Sequence, residues 1–131
     1  MKYLLDTNIC IYIINRRPIR VLERFDDFSY GDVGISSITG AELAFGVAKS
    51  GSQRNLNALD KFLAPLEILP FDEKAMRSYG RVRAGLEKIG KPIGALDTLI
   101  AAHALALEAV LVTNNLSEFR RVHGLRCENW A

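Results

Sequence analysis

Short apolar runs alternate with segments of helical periodicity along this chain, and that alternation restricts the fold more than any other feature. Lys2–Leu5, Val33–Ser36, Leu66–Leu69 and Val110–Thr113 read as buried strands. Helices are expected over Thr7–Asn15, Arg20–Phe28, Thr39–Ala48, Asn55–Leu63, Glu73–Ile89 and Leu96–Leu107. A short helix is expected over Leu116–Val122 and an edge strand over Leu125–Cys127. The punctuation agrees. Pro18 opens the second helix, Tyr30-Gly31-Asp32 makes a turn, Ser50-Gly51-Ser52 closes one helix, and Asp72 and Gly90 bracket the longest. Strands separated by helices pair in parallel and take helices on both faces of the sheet. The expectation is therefore an α/β fold in a single domain over 1–131. A chain of 131 residues, 49% of them apolar, can bury one substantial core. No repeat, low-complexity tract or linker divides it.

Acidic residues recur where strand or turn gives way to helix. Asp6 closes Tyr3-Leu4-Leu5, Glu42 follows Ile35-Ser36-Ser37-Ile38-Thr39, and Asp97 stands after the turn Pro92-Ile93-Gly94. Asn115 follows Val110–Thr113 in the same way. In an open parallel sheet such junctions line the carboxyl edge, where ligands bind. Two carboxylates about 4 Å apart repel by roughly 4 kcal/mol at an effective dielectric near 20. Acids gathered there take up protons or bind a cation. Oxygen donors without His or Cys suit hard ions, Mg2+ or Mn2+, and such ions serve phosphoryl chemistry. Each acid also has a local alternative. Asp6 could cap a helix, Glu42 could complete a capping box with Thr39, and Asp97 could answer a helix dipole. Those alternatives leave the recurrence at junctions unexplained.

Charge adds a direction. The net charge is +2; with Asp6, Glu42 and Asp97 neutralised by a cation, 17 basic residues face the remaining 12 of 15 acids. Eleven of the basic residues are arginines, the better match to phosphate. Lys74, Arg77, Arg81 and Lys88 share one face of the 73–89 helix, while Ala75, Tyr79, Val82, Leu86 and Ile89 share another that should meet the core. The basic stripe is either a track for a phosphate backbone or a solvated face. Cys10 and Cys127 have no metal spacing and read as reduced thiols of a cytoplasmic protein. The start of the chain lacks a cleavage signal, and Leu99–Val112 is too short, and too interrupted by His103 and Glu108, to span a bilayer. His103 should be buried and hydrogen-bonded, and His123 exposed. Ile9, Ile11, Tyr12 and Ile13 make the first helix apolar nearly all round, as core, as a contact with a second copy or as a groove for another protein. Trp130 reads as an anchor for the tail.

Four segments together resemble the motifs of PIN-domain ribonucleases, most closely the VapC-type toxins of toxin–antitoxin pairs. They are Leu5-Asp6-Thr7-Asn8-Ile9, Ser36-Ser37-Ile38-Thr39-Gly40-Ala41-Glu42-Leu43, the stretch Pro92–Ala104 around Asp97, and Val112-Thr113-Asn114-Asn115 followed by Glu118-Phe119. They occur in order over essentially the whole chain. The resemblance implies a PIN-like three-layer α/β/α sandwich with a central parallel sheet of four or five strands, and an Mg2+- or Mn2+-dependent endoribonuclease. It carries Asp6, Glu42 and Asp97 over as metal-binding catalytic acids. Where the family often has a fourth acid this chain has Asn115; Glu118, one helical turn on, could supply that carboxylate. Thr7 and Thr113 would hydrogen-bond the acids or a water. The resemblance also implies an RNA substrate, with tRNA favoured, a VapB-type antitoxin laid across the first helix and the acids, and a homodimer.

Other readings meet specific obstacles. A phospho-receiver domain needs a paired acid beside Asp6 and a Lys after the late strand; Asn8 and Thr113-Asn114-Asn115 supply neither. A haloacid-dehalogenase-like phosphatase needs Asp-x-Asp, and Asn8 fills the second position. A PIN nuclease of RNA processing or repair remains as the alternative within the same family.

Overall fold

The computed structural model describes residues 1–29 and 31–131. Tyr30, part of the expected Tyr30-Gly31-Asp32 turn, lies outside the described residues. The elements run β1 (Tyr3–Leu5), α1 (Thr7–Asn15), α2 (Ile19–Asp26), β2 (Val33–Ser36), α3 (Ser37–Ser50), α4 (Gln53–Leu63), β3 (Glu67–Leu69), α5 (Glu73–Lys88), α6 (Ala95–Leu107), β4 (Val110–Val112), α7 (Leu116–Phe119) and β5 (Cys127–Glu128).

The five strands form one parallel sheet in the order β3-β2-β1-β4-β5. Tyr3 pairs with Val33 on one side and Val110 on the other. The chain winds outward from β1 to β3, then returns through α5 and α6 to β4 on the opposite flank. The reversal of direction falls between β1 and β4, the kind of crevice where open α/β sheets bind ligands.

Side chains alternate across the strands and divide the interior into two cores. Leu5, Val33, Ile35 and Val112 face α1–α4, where Ile9, Cys10, Ile13, Val21, Leu43, Leu59 and Phe62 are buried. Leu4 and Leu111 face the other layer, with Leu86, Ile100, Ala101, Ala104, Phe119 and Val122. This is the expected three-layer α/β/α arrangement. α6 is buried on most sides, and its Ala101, Ala102 and Ala104 have no exposed surface, so small side chains let α5 and the sheet approach closely.

Several boundaries differ from expectation. α3 begins at Ser37 rather than Thr39 because the Ser36 hydroxyl caps it, accepting from the Ile38 amide at 3.1 Å. α5 stops at Lys88, and Ile89, expected in the core, is 58% exposed. Leu86, one turn earlier, and Ile93, from the following loop, pack in that core instead. α7 ends at Phe119, three residues short of Val122, which is nonetheless buried. Trp130 does anchor the tail: it is buried, stacks on Phe28 with centroids 5.1 Å apart, and meets Tyr3 at 5.7 Å. Cys10 and Cys127 are free thiols. Among the described residues no helix is long and apolar enough to cross a membrane.

Candidate active site

The carboxyl edge of β1 and β4 brings Asp6 and Thr113 together. Asp6 follows β1 directly, and its amide donates to Val112 O at 3.0 Å, so the ladder holds its backbone beside β4. Its side chain is 5% exposed. One oxygen caps α1, accepting from the Ile9 amide at 3.0 Å, so the local role anticipated for Asp6 is real. The Thr113 side chain stands by the same carboxylate and favours its charged form. Burial raises its pKa above 3.8, Thr113 and the Ile9 bond oppose that rise, and the Glu42 charge adds to it.

Glu42 sits in the second turn of α3. The capping box with Thr39 does not form: Thr39 is fully buried inside the helix that Ser36 caps. Instead Glu42 Oε1 accepts from the Thr7 hydroxyl at 2.7 Å, a link between α1 and α3. Both threonines singled out from the sequence thus serve an acid, Thr7 for Glu42 and Thr113 for Asp6.

Asp97 lies in the first turn of α6, where the helix dipole favours an acid. Gly94 is pressed against it: a Cβ there would stand 3.5 Å from Oδ2. The Asp97 pKa is nevertheless pushed up to about 6. Burial is the largest cause, followed by the charges of Glu118, Asp6 and Glu42 and a hydrogen bond with the Glu118 side chain. Four carboxyl groups from four elements therefore act on one another. Asn115, whose side chain does not cap α7, donates from Nδ2 to Glu118 Oε2 at 2.9 Å. The amide stands behind the carboxylate rather than in its place.

The acids share a field without forming a finished ligand set. Among the described residues no three Asp, Glu, His or Cys side chains converge as a metal cage. Each carboxylate turns to its own donor, Asp6 to Ile9, Glu42 to Thr7, Glu118 to Asn115. The donors are all hard oxygens, the chemistry that fits Mg2+ or Mn2+.

At this edge His103 is buried and hydrogen-bonded as expected, while its partners and the role of Asn114 had no sequence signal. His103 is buried on α6, with Nδ1 2.7 Å from Ser36 Oγ and its ring edge-on to Phe71. It ties the helix of Asp97 to the cap of the helix that carries Glu42. Burial holds its pKa below 6.5, so it stays neutral and structural. Asn114 donates to the Tyr12 hydroxyl at 2.7 Å and leaves a buried Oδ1 without a partner. The four basic residues of the stripe are all exposed on α5; Arg77 leans toward Glu73 at 3.9 Å.

The family profile of the PIN domain matches residues 3–125. The chain belongs to the PIN-domain family. Within that family it stands among the VapC ribonucleases. It is 48% identical over 131 residues to ribonuclease VapC2 of Haemophilus influenzae, covering 99% of this chain and 98% of that one. It is 42% identical over 132 residues to the tRNA(fMet)-specific endonuclease VapC of Shigella flexneri, covering 100% and 99%. Among solved structures it resembles VapBC2 from Rickettsia felis bound to a promoter DNA fragment, with TM-score 0.93, 45% identity and both chains fully covered. DNA-bound VapBC from Salmonella typhimurium gives TM-score 0.94 at 42% identity, covering 100% of this chain and 99% of that one. The PIN architecture puts the ends of β1 and β4 and the starts of α3, α6 and α7 around one crevice, which is where the acids described above lie.

Proposed function

We propose that this PIN-domain ribonuclease is a toxin endonuclease that hydrolyses structured RNA, a tRNA in the first instance, with Mg2+ or Mn2+ as its cofactor, and that a VapB-type antitoxin silences it. The observation that carries the metal assignment is the Asp97 carboxyl, pushed up to about 6 by burial and by three neighbouring acids. A group so disfavoured as an anion gains most from a cation. Asp6, Asp97 and Glu42 would hold the ion. Glu118, whose charge is foremost among the acids acting on Asp97, fills the position where Asn115 lacks a carboxylate. A bound ion would supply positive charge to the phosphate and make water easier to deprotonate. The chain supplies the rest. Thr7 fixes Glu42 in direction, Thr113 favours the charged form of Asp6, and Asn115 holds Glu118. A carboxylate not engaged with the ion is left to take the proton from the attacking water.

The relatives support the RNA and antitoxin parts. One is named for tRNA(fMet), and the similar solved structures are VapBC complexes. This chain also offers a groove of about 230 Å³ that begins at Thr7 and Glu42 and runs between Ile11, Ile14, Val47 and Leu59. An amphipathic antitoxin segment could lie there with a basic side chain toward Glu42. Exposed Phe45, next to this groove on α3, leaves apolar surface for a second copy of the chain.

The test is Asp97→Asn in the full-length protein. It should stay folded in chelator, melting no lower than wild type at pH 7.5, and lose tRNA cleavage by on the order of a hundredfold or more in Mg2+ or Mn2+. Undiminished cleavage by that variant removes Asp97 from the machinery and the metal reading with it.

A further inference from the structure

A groove of about 620 Å³ runs along α5 and is closed on its other side by the end of α6 and the turn after α7. Its floor is apolar, with Val82, Leu86, Leu105 and Val122. Its rim is basic: Lys74 and Arg81 from α5, two turns apart, and Arg121 and His123 from across the groove, against one acid, Glu108. Among the described residues Lys74, Arg81 and Arg121 have no carboxylate partner, whereas Arg77 and Arg83 on the same helix pair with Glu73 at 3.9 Å and Glu87 at 3.7 Å. The stripe seen in the sequence therefore divides. Lys74 and Arg81 face a groove with their charge unspent; Arg77 and Lys88 do not line it.

One wall of the groove is tied, through Arg121, to the segments that carry Glu118 and lead to Asp97. Arg121 begins where α7 ends, its amide donating to Glu118 O at 3.0 Å. Its guanidinium donates to Pro92 O at 3.2 Å, in the loop that leads to Asp97. That leaves further guanidinium N–H groups to face the groove. A groove with an apolar floor and a cationic rim has the make-up of a nucleic-acid path. Phosphates meet the rim, while sugars and bases cover the floor.

Resting on the ribonuclease reading above, we infer that this α5 groove holds the backbone of the RNA strand flanking the cut, with Lys74, Arg81 and Arg121 as its phosphate contacts. The inference replaces a diffuse basic face by three named contacts and a direction of approach.

The experiment measures binding of a fluorescent stem-loop RNA to the full-length protein in EDTA, by anisotropy across a series of KCl concentrations. Cleavage of the same RNA in Mg2+ is measured in parallel. Lys74→Gln and Arg81→Gln should each weaken binding severalfold and lower the slope of log K against log salt by about 0.7. The loss in cleavage should fall on KM rather than kcat. Arg83→Gln, which removes an equal charge from the same helix outside the groove, should bind as wild type does. Because Arg121 also holds the Pro92 loop, it is replaced both ways: Arg121→Lys should keep the affinity that Arg121→Gln loses. Equal affinity and equal salt slope for wild type, Lys74→Gln and Arg81→Gln would overturn the groove, as would wild-type protein that binds no RNA. The groove assignment survives, and the ribonuclease reading does not, if the binding pattern appears and the wild type cuts nothing.

Discussion

Asp97 is the residue on which the proposed chemistry and the stability of this protein meet. In the fold it keeps its proton up to about pH 6, against 3.8 as the ordinary value. Below about pH 4 both folded and unfolded chains carry that proton. As pH rises toward 6 the unfolded chain releases it first, so the folded state loses stability across that window and stays lower above it. His103 acts in the opposite sense, because its buried imidazole resists protonation below 6.5. Comparison with Asp97→Asn cancels the histidine. In chelator, the melting temperature of wild type minus that of the variant should fall between about pH 4 and 6.5. Mn2+ at pH 7.5 should then raise the wild type more than the variant. A difference flat in pH, measured by differential scanning fluorimetry, would mean that the neighbouring acids do not burden Asp97. The three acids were legible from the sequence because each stands at a junction. The partner of each was not: a capping box was as consistent with Thr39 and Glu42 as the Thr7 contact that forms, and only the position of Ser36 decides between them.

Elements were legible where periodicity and punctuation agreed. α1, β2 and the capped start of α5 lie where the sequence puts them. Ends were less so, because packing rather than pattern terminates α5 and α7. One strand is more tightly constrained than its composition suggests. Gly34 sits in β2 between β1 and β3, and a Cβ there would come 2.9 Å from Glu67 O and 3.1 Å from Leu69 Cδ1. Gly34→Ala must push β3 outward or bend β2, at a cost of about 1–3 kcal/mol. A lowered urea midpoint with unchanged slope should report it. A midpoint equal to wild type would show that the β3 edge yields freely. The same substitution tests the site indirectly, since β2 leads straight into the helix of Glu42.

The whole molecule is held by two cores on opposite faces of one narrow sheet, and its C-terminus closes the first of them. Trp130 packs between Phe28 and Tyr3, its indole N–H reaches Glu128 at 3.3 Å, and Arg24 lies over its ring while pairing with Glu128 at 3.2 Å. This joins β5, the last strand, to α2, near the other end of the chain. Trp130→Ala should cost about 3 kcal/mol in chemical denaturation, mostly from lost burial and the cavity left behind. Wild-type stability in that variant would show that the tail merely rests on the surface.

The order of helices and strands and the standing of the acids at the ends of apolar runs are properties of the sequence alone. They follow from local rules: which residues alternate, which cap, and which charges stand at the ends of apolar runs. The neighbour of each acid, the partners of His103, and the division of one basic helix face into a groove-lining half and a solvated half came only from the tertiary structure. These depend on strand order and on helices far apart in the chain, and no local pattern records which distant surfaces a fold will bring into contact.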